Sequence, residues 1–163
     1  IKFRSYNTAT ATFAEELGMI PVQIEAAELS QALATGVAEA FISSGSTGYD
    51  RKVWEHLTHY YKVNAWLPRN YVMVNKQVWD GLSADTQASV QKAADETGAA
   101  CSAKSEELAN WYFEQLSGNG MDVTDAGPEF LAELQEIGAK MTADWLAAAG
   151  DDGKAILDAY NAH

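Results

Sequence analysis

The feature that most constrains this chain is the order of its opening third, where short apolar runs alternate with helical patterns. Residues 2–7 (Lys2-Phe3-Arg4-Ser5-Tyr6-Asn7) read as a strand, and residues 8–17 as a helix with Ala9, Thr12, Phe13, Glu16 and Leu17 at helical spacing. Gly18 is the expected C-cap. Residues 19–24 read as a second short strand, in which Pro21 points to a sheet edge or an entry point. Residues 28–35 predict a second helix with Leu29, Ala32 and Leu33 inward and Gly36 as its cap. A third strand over 37–42 runs into the loop Ser43-Ser44-Gly45-Ser46-Thr47-Gly48. Strand, helix, strand, helix, strand implies parallel pairing through right-handed crossovers, and hence an α/β sheet. In open α/β sheets, ligands sit beyond the carboxyl ends of the strands. Both the stretch from Arg4 to Asn7 and the pair Ser43-Ser44 lie at such ends, where they could meet.

Beyond the loop, residues 49–57 look helical, and 59–67 and 71–75 look like strands split by Pro68-Arg69-Asn70, with Trp66 just before the break. Residues 76–81 read as a short helix. From Ser83 the pattern lengthens. Ser83 is a good N-cap, Asp85 stands in the first turn where the helix dipole favours it, and a helical stripe runs to about Leu116. Gly98 is a candidate bend. Cys101 lies on that stripe, the setting of a buried, inert thiol. After a brief extended piece at 121–123, Pro128 opens a helix with the stripe Phe130, Leu134, Ile137, Met141 and Trp145, ending near Gly150. A last short helix carries Ile156, Leu157 and Tyr160. This division places a ligand-binding lobe with its return strands at 1–75, and the long helix with the closing helices at 76–163.

Composition removes several classes of function. With 11 Lys+Arg against 23 Asp+Glu the net charge is −12, which opposes nucleic-acid binding because that depends on cations neutralising phosphates. No apolar run approaches the roughly 20 residues that span a bilayer, and no signal-peptide pattern is visible, so any such peptide is absent or already removed. The single cysteine excludes an internal disulfide and fits the cytoplasm and the periplasm equally. His56 and His59 stand three apart without an acidic or sulfur partner, so they read as surface or strand-end residues and no metal or cofactor is expected. The serine-glycine loop lacks the lysine of a phosphate loop, and no Gly-x-Ser-x-Gly elbow is present. Carboxylate pairs such as Glu15-Glu16 and Glu106-Glu107 are sequence neighbours, which on a helix do not face each other.

Arg4 carries the remaining chemistry. An arginine in an apolar, aromatic strand is either part of a structural ion pair or surface, or an anion clamp whose planar fork binds a carboxylate bidentately. The chain opens at Ile1 without a methionine and already in a strand, which leads to the expectation of a further N-terminal part.

Several blocks together resemble one family. They are Lys2-Phe3-Arg4-x-x-Asn7, Leu17-Gly18, Pro21-Val22, Glu28-Leu29-x-x-Ala32-Leu33-x-Thr35-Gly36-Val37, Tyr71-Val72-Met73-Val74-Asn75 and Trp79-x-x-Leu82-Ser83. The family is the solute-binding proteins of tripartite ATP-independent periplasmic (TRAP) transporters, and the similarity covers nearly the whole chain. It implies a periplasmic-binding-protein-like, class II-type, two-lobed α/β fold that closes on its ligand by a hinge. The chain would supply one lobe, the long lobe-spanning helix and the C-terminal helices, with a further N-terminal segment preceding the arginine strand.

The resemblance also implies a periplasmic receptor that is not an enzyme and hands a small organic acid to TRAP membrane subunits. It places the ligand's carboxylate on Arg4, with Asn7 three residues later as a further contact. The family's asparagine after Thr-Gly-Val is replaced by Ser43, which counts against the usual sugar-acid or C4-dicarboxylate ligand. A family aromatic before Glu28 corresponds to Ala26 or Ala27, which leaves room for a bulkier ligand with Phe41 and Trp66 as walls and Ser43 and Ser44 as hydrogen-bonding groups. The expected ligand is a 2-oxo or 2-hydroxy acid, with an aromatic body as one option. The competing classes are a small α/β lyase or isomerase acting on an acid at Arg4, for which the sequence places no base, and an interaction domain.

Overall fold

The computed structural model describes residues 1–66 and 70–162. In chain order its elements are β1 (Lys2–Ser5), α1 (Thr8–Glu16), β2 (Ile20–Gln23), α2 (Leu29–Ala34), β3 (Ala40–Phe41), α3 (Gly45–Asp50), β4 (His59–Lys62), α4 (Lys76–Asp80), α5 (Ala84–Gly118), β5 (Asp122–Asp125) and α6 (Pro128–Asn161). Single 3-10 turns stand at Ala26–Glu28 and Val53–Glu55. The chain divides into two compact units, one of Ile1–Ile42, His59–Ala65 and Thr124–His163, the other of Ser43–Thr58 and Trp66–Val123. The boundary read from the sequence at 75/76 falls inside the second unit.

In the first unit the three opening strands pair in parallel in the order β2-β1-β3, as the alternating pattern requires. Phe3 and Arg4 stand opposite Pro21 and Val22 on one side, and opposite Ala40 and Phe41 on the other. Pro21 is therefore on an edge strand, where its missing N–H is tolerated. Strand side chains alternate between faces. Phe3 joins Phe13, Ala14 of α1 and Leu134 of α6 in a buried core, flanked by Leu17, Met19, Ile137 and Met141. The Phe3 and Phe13 rings lie 6.2 Å apart. On α2, Leu29, Ala32 and Leu33 are buried as their spacing predicted. Gly18 and Gly36 end their helices in the left-handed region, the backbone of a glycine C-cap.

Pro128 occupies the first turn of α6, and the apolar stripe faces the Phe3–Phe13 core through Leu134, Ile137 and Met141. Lys140 reaches Glu16 on α1 at 2.6 Å, a surface pair that adds little. Gly150 interrupts α6 with φ 62° and ψ −145°, so the last short helix is set off where the sequence placed its end. That backbone is open essentially to glycine alone. Gly150→Ala is expected to destabilise the segment beyond it by about 1–3 kcal/mol. Hydrogen exchange in residues 151–161 measures this, and unchanged protection there refutes it.

In the second unit, Ser83 caps α5 and accepts from Thr86 N at 3.3 Å, and the helix continues through Gly98 for 35 residues. At about 1.5 Å per residue it is roughly 50 Å long. The stretch 43–48, expected as a loop, is largely helical. Ser44 Oγ accepts from Thr47 N at 3.3 Å as the N-cap of α3, and Gly45 and Gly48 let the short helix lie closely against Tyr112, Phe113 and Leu116. Long-range packing overrides the weak helix propensity of serine and glycine here.

The third strand shortens from 37–42 to two residues, because it pairs with β1 only opposite Phe3 and Arg4. Strand 59–67 ends at Lys62, and its Leu67, with Pro68 and Arg69 of the break, lies outside the described residues. Residues 71–75 form no strand, since no described segment pairs with them, and Tyr71, Val72 and Met73 are exposed. Cys101 is exposed rather than buried. The α5 stripe is covered only near its carboxyl end, where α3 packs, and Val90 is also exposed. β4 pairs with β5, and Lys62 bridges to Asp125 at 3.2 Å. Among the described residues no helix is long and apolar enough to cross a membrane.

Candidate functional site

The order β2-β1-β3 places a topological switch point between β1 and β3, because the chain leaves β1 to one side for β2 and returns on the other as β3. Crevices at such points are where open α/β sheets bind ligands. Arg4 lies one residue before the carboxyl end of the central strand, directly opposite Phe41 of β3. Arg4 and the half-buried Phe41 are thus neighbours on the strands that flank the switch point.

Arg4 is 3% exposed, an unusual position for a guanidinium. Its Nε donates to Ile24 O at 2.8 Å, at the end of the neighbouring strand. Its Cζ sits 5.1 Å from the centre of the ring of Tyr6, the residue that follows the end of β1. Among the described residues the two Nη groups have no hydrogen-bond partner, and no ion pair engages Arg4. Burial holds the guanidinium below its usual pKa, while the charge of Glu25 and the Tyr6 hydroxyl pull it upward. A buried cation with its fork free of protein acceptors is suited to an oxyanion.

The turn after Arg4 is held tightly. Asn7 caps α1, accepting from Thr10 N at 2.9 Å through Oδ1, and the buried Thr10 hydroxyl accepts from Tyr6 N at 3.1 Å and Asn7 N at 3.2 Å. This capping box fixes the path from Arg4 into the helix. Asn7 Oδ1 is therefore occupied within the fold, whereas its Nδ2 has no protein acceptor among the described residues.

The six residues singled out from the sequence divide between the units. Arg4, Asn7 and Phe41 belong to the first and lie at or beside the end of β1; Ser43, Ser44 and Trp66 belong to the second. Ser44 is committed to its cap and to hydroxyl contacts with Ser46 at 2.7 Å and Thr47 at 3.2 Å. Trp66 is half-buried and follows β4 by four residues. Sequence reasoning missed Tyr6, Ile24 and Glu25. The i, i+2 spacing from Arg4 on a strand was the signal available for Tyr6.

The mixed α/β fold built on this parallel sheet is periplasmic-binding-protein-like. Residues 1–148 match the family described as bacterial extracellular solute-binding protein, family 7 (DctP). The chain belongs to that family, the TRAP solute-binding proteins. It is 77% identical to a TRAP solute binding protein from an unidentified marine metagenome microbe, specific for pyroglutamate and crystallised with co-purified pyroglutamate. The TM-score is 0.95 over 100% of this chain and 54% of that one. It is 43% identical, with a TM-score of 0.96 over 99% of this chain and 54% of the other, to DctP6, a Bordetella pertussis extracytoplasmic solute receptor binding pyroglutamic acid. It is also 31% identical over 130 residues to the C4-dicarboxylate-binding periplasmic protein DctP of Rhodobacter capsulatus, covering 79% of this chain and 36% of that protein. The chain thus spans about half the length of the solved relatives, and about a third of the Rhodobacter protein.

Proposed function

We propose that this chain forms the acid-binding part of a periplasmic TRAP receptor, which holds the carboxylate of pyroglutamate, or a close relative of it, on Arg4 and delivers it to the transporter's membrane subunits. The observation that carries the reading is the Arg4 guanidinium, buried at the switch point with both Nη groups free of protein acceptors among the described residues. A carboxylate satisfies those groups bidentately. The relatives at 77% and 43% identity, which bind pyroglutamate, support the choice of acid. Pyroglutamate is a flat five-membered lactam with one carboxylate beside a ring N–H. It shares a carboxylate next to a polar group with the 2-oxo or 2-hydroxy acid expected from the sequence. Asn7 Nδ2 is a donor suited to the lactam carbonyl, and the Phe41 ring to the flat face.

The test is calorimetric titration of the full-length protein with pyroglutamate, its uncharged carboxamide and succinate. The acid is expected to bind, and to be recovered unchanged, with the carboxamide at least about 30-fold weaker because it leaves a buried cation unpaired. Succinate discriminates a pyroglutamate receptor from a C4-dicarboxylate receptor. Equal affinity for acid and carboxamide, or binding of neither acid, would sink the reading.

A further inference from the structure

We infer that Tyr6 is a positioning residue for ligand capture, its ring face locking the Arg4 guanidinium so that the free edge of the fork is presented in one orientation. The inference rests on the carboxylate-clamp reading of Arg4 and adds to it a residue that need not touch the ligand. Three observations carry it. Among the described residues the Arg4 guanidinium makes two specific interactions with the protein, the bond from Nε to Ile24 O at 2.8 Å and the contact with the Tyr6 ring at 5.1 Å. The hydrogen bond holds the Nε edge of the guanidinium and leaves the Nη edge without a hydrogen bond to the protein among the described residues. The Tyr6 ring, over which Cζ lies at 5.1 Å, adds a cation–π attraction that favours one placement of the guanidinium. Tyr6 is itself held, since its backbone N–H donates to the buried Thr10 hydroxyl at 3.1 Å within the capping box of α1. The helix start thus holds the Tyr6 backbone, and the Tyr6 ring lies beside the guanidinium that carries the fork.

A cation pre-set in the bound geometry loses less conformational freedom when the anion arrives, and that gain appears as affinity. The ring face also draws the positive charge without neutralising it, unlike a carboxylate partner, which would occupy the fork. Glu25 acts on Arg4 only through its field, since no ion pair joins them. Tyr6 therefore orients the clamp and leaves it available.

The test uses Tyr6→Leu and Tyr6→Phe in the full-length protein. Tyr6→Leu is expected to weaken pyroglutamate binding about tenfold while leaving carboxamide affinity unchanged, so that discrimination between acid and carboxamide narrows by the same factor. Tyr6→Phe, which keeps the ring face, is expected to stay within about twofold of the parent. A loss shared equally by acid and carboxamide, or by Phe and Leu variants, overturns the inference, as does parental affinity in Tyr6→Leu. A second measurement does not depend on any ligand. Side-chain NMR of Arg4 should show slow rotation of the guanidinium in the parent and in Tyr6→Phe, and fast rotation in Tyr6→Leu. Equal rotation in all three overturns the positioning role, even where pyroglutamate is not the ligand. Loss of binding in Arg4→Met with no change in Tyr6→Leu keeps the clamp and removes only Tyr6.

Discussion

Arg4→Met in the full-length protein is expected to abolish the thermal stabilisation produced by pyroglutamate while leaving the ligand-free melting point within a few degrees of the parent. The two halves of this expectation have different origins. Removing one partner of a buried, hydrogen-bonded charge pair weakens binding by about 2–5 kcal/mol, which is roughly 30-fold to several thousandfold. Without ligand the balance is nearly even. The guanidinium is buried with a single hydrogen bond and no ion pair among the described residues, so an apolar chain of similar length relieves a desolvation penalty. Against that, Ile24 O loses its donor and Tyr6 its cation, together worth about 1–3 kcal/mol. Arg4→Lys keeps the charge but not the fork, and should fall between parent and Arg4→Met. A structural arginine behaves in the opposite way: Arg4→Met would then lower the melting point strongly and bind pyroglutamate normally. Scanning calorimetry with and without the acid separates the two.

What could be read from the sequence follows the range of the forces involved. Local rules placed Gly18, Gly36, Ser83 and Pro128 at helix ends, because caps depend on one residue's backbone and its near neighbours. The break at Gly150 was legible for the same reason. The parallel order followed from alternation, and Arg4 stood out as the one arginine in an otherwise apolar and aromatic setting. Its burial and its free fork did not, since they depend on where Ile24 and Phe41 arrive from other strands.

The helix at Gly45–Asp50 was illegible because its stabilising contacts lie more than sixty residues away, on Tyr112, Phe113 and Leu116. Cys101 and the 71–75 segment fail for the converse reason. Their patterns are those of a covered face and a paired strand, while no described segment supplies the cover or the partner. Periodicity reports which face is apolar; only the fold reports what meets it.

Leu116→Ala is expected to have the largest effect on stability. Leu116 is fully buried near the carboxyl end of α5, and Val53 is 1% exposed beside it. Truncating a core leucine destabilises by about 3–5 kcal/mol when the site cannot collapse. Collapse is opposed here because the opposing surface is the backbone of Gly48, which has no side chain to move into the gap. A Cβ built on Gly48 would lie 3.4 and 3.5 Å from the two Leu116 methyls and 3.5 Å from Val53 Cγ2, which is ordinary contact. Gly48→Ala alone should therefore be tolerated, and can stabilise by up to about 1 kcal/mol through helix propensity. In the double variant the added methyl fills part of the cavity, so the pair should be less destabilised than the sum of the two singles.

Gly45→Ala provides the contrast, because its Cβ would meet Tyr112 Cβ at 3.2 Å, an atom fixed to the α5 backbone that cannot swing aside. It should destabilise where Gly48→Ala does not. At about 2–4 °C per kcal/mol for a chain of this size, Leu116→Ala lowers the melting point by roughly 6–20 °C. A shift below about 2 °C would mean that the α3–α5 contact is not what holds the Gly45–Asp50 helix in place.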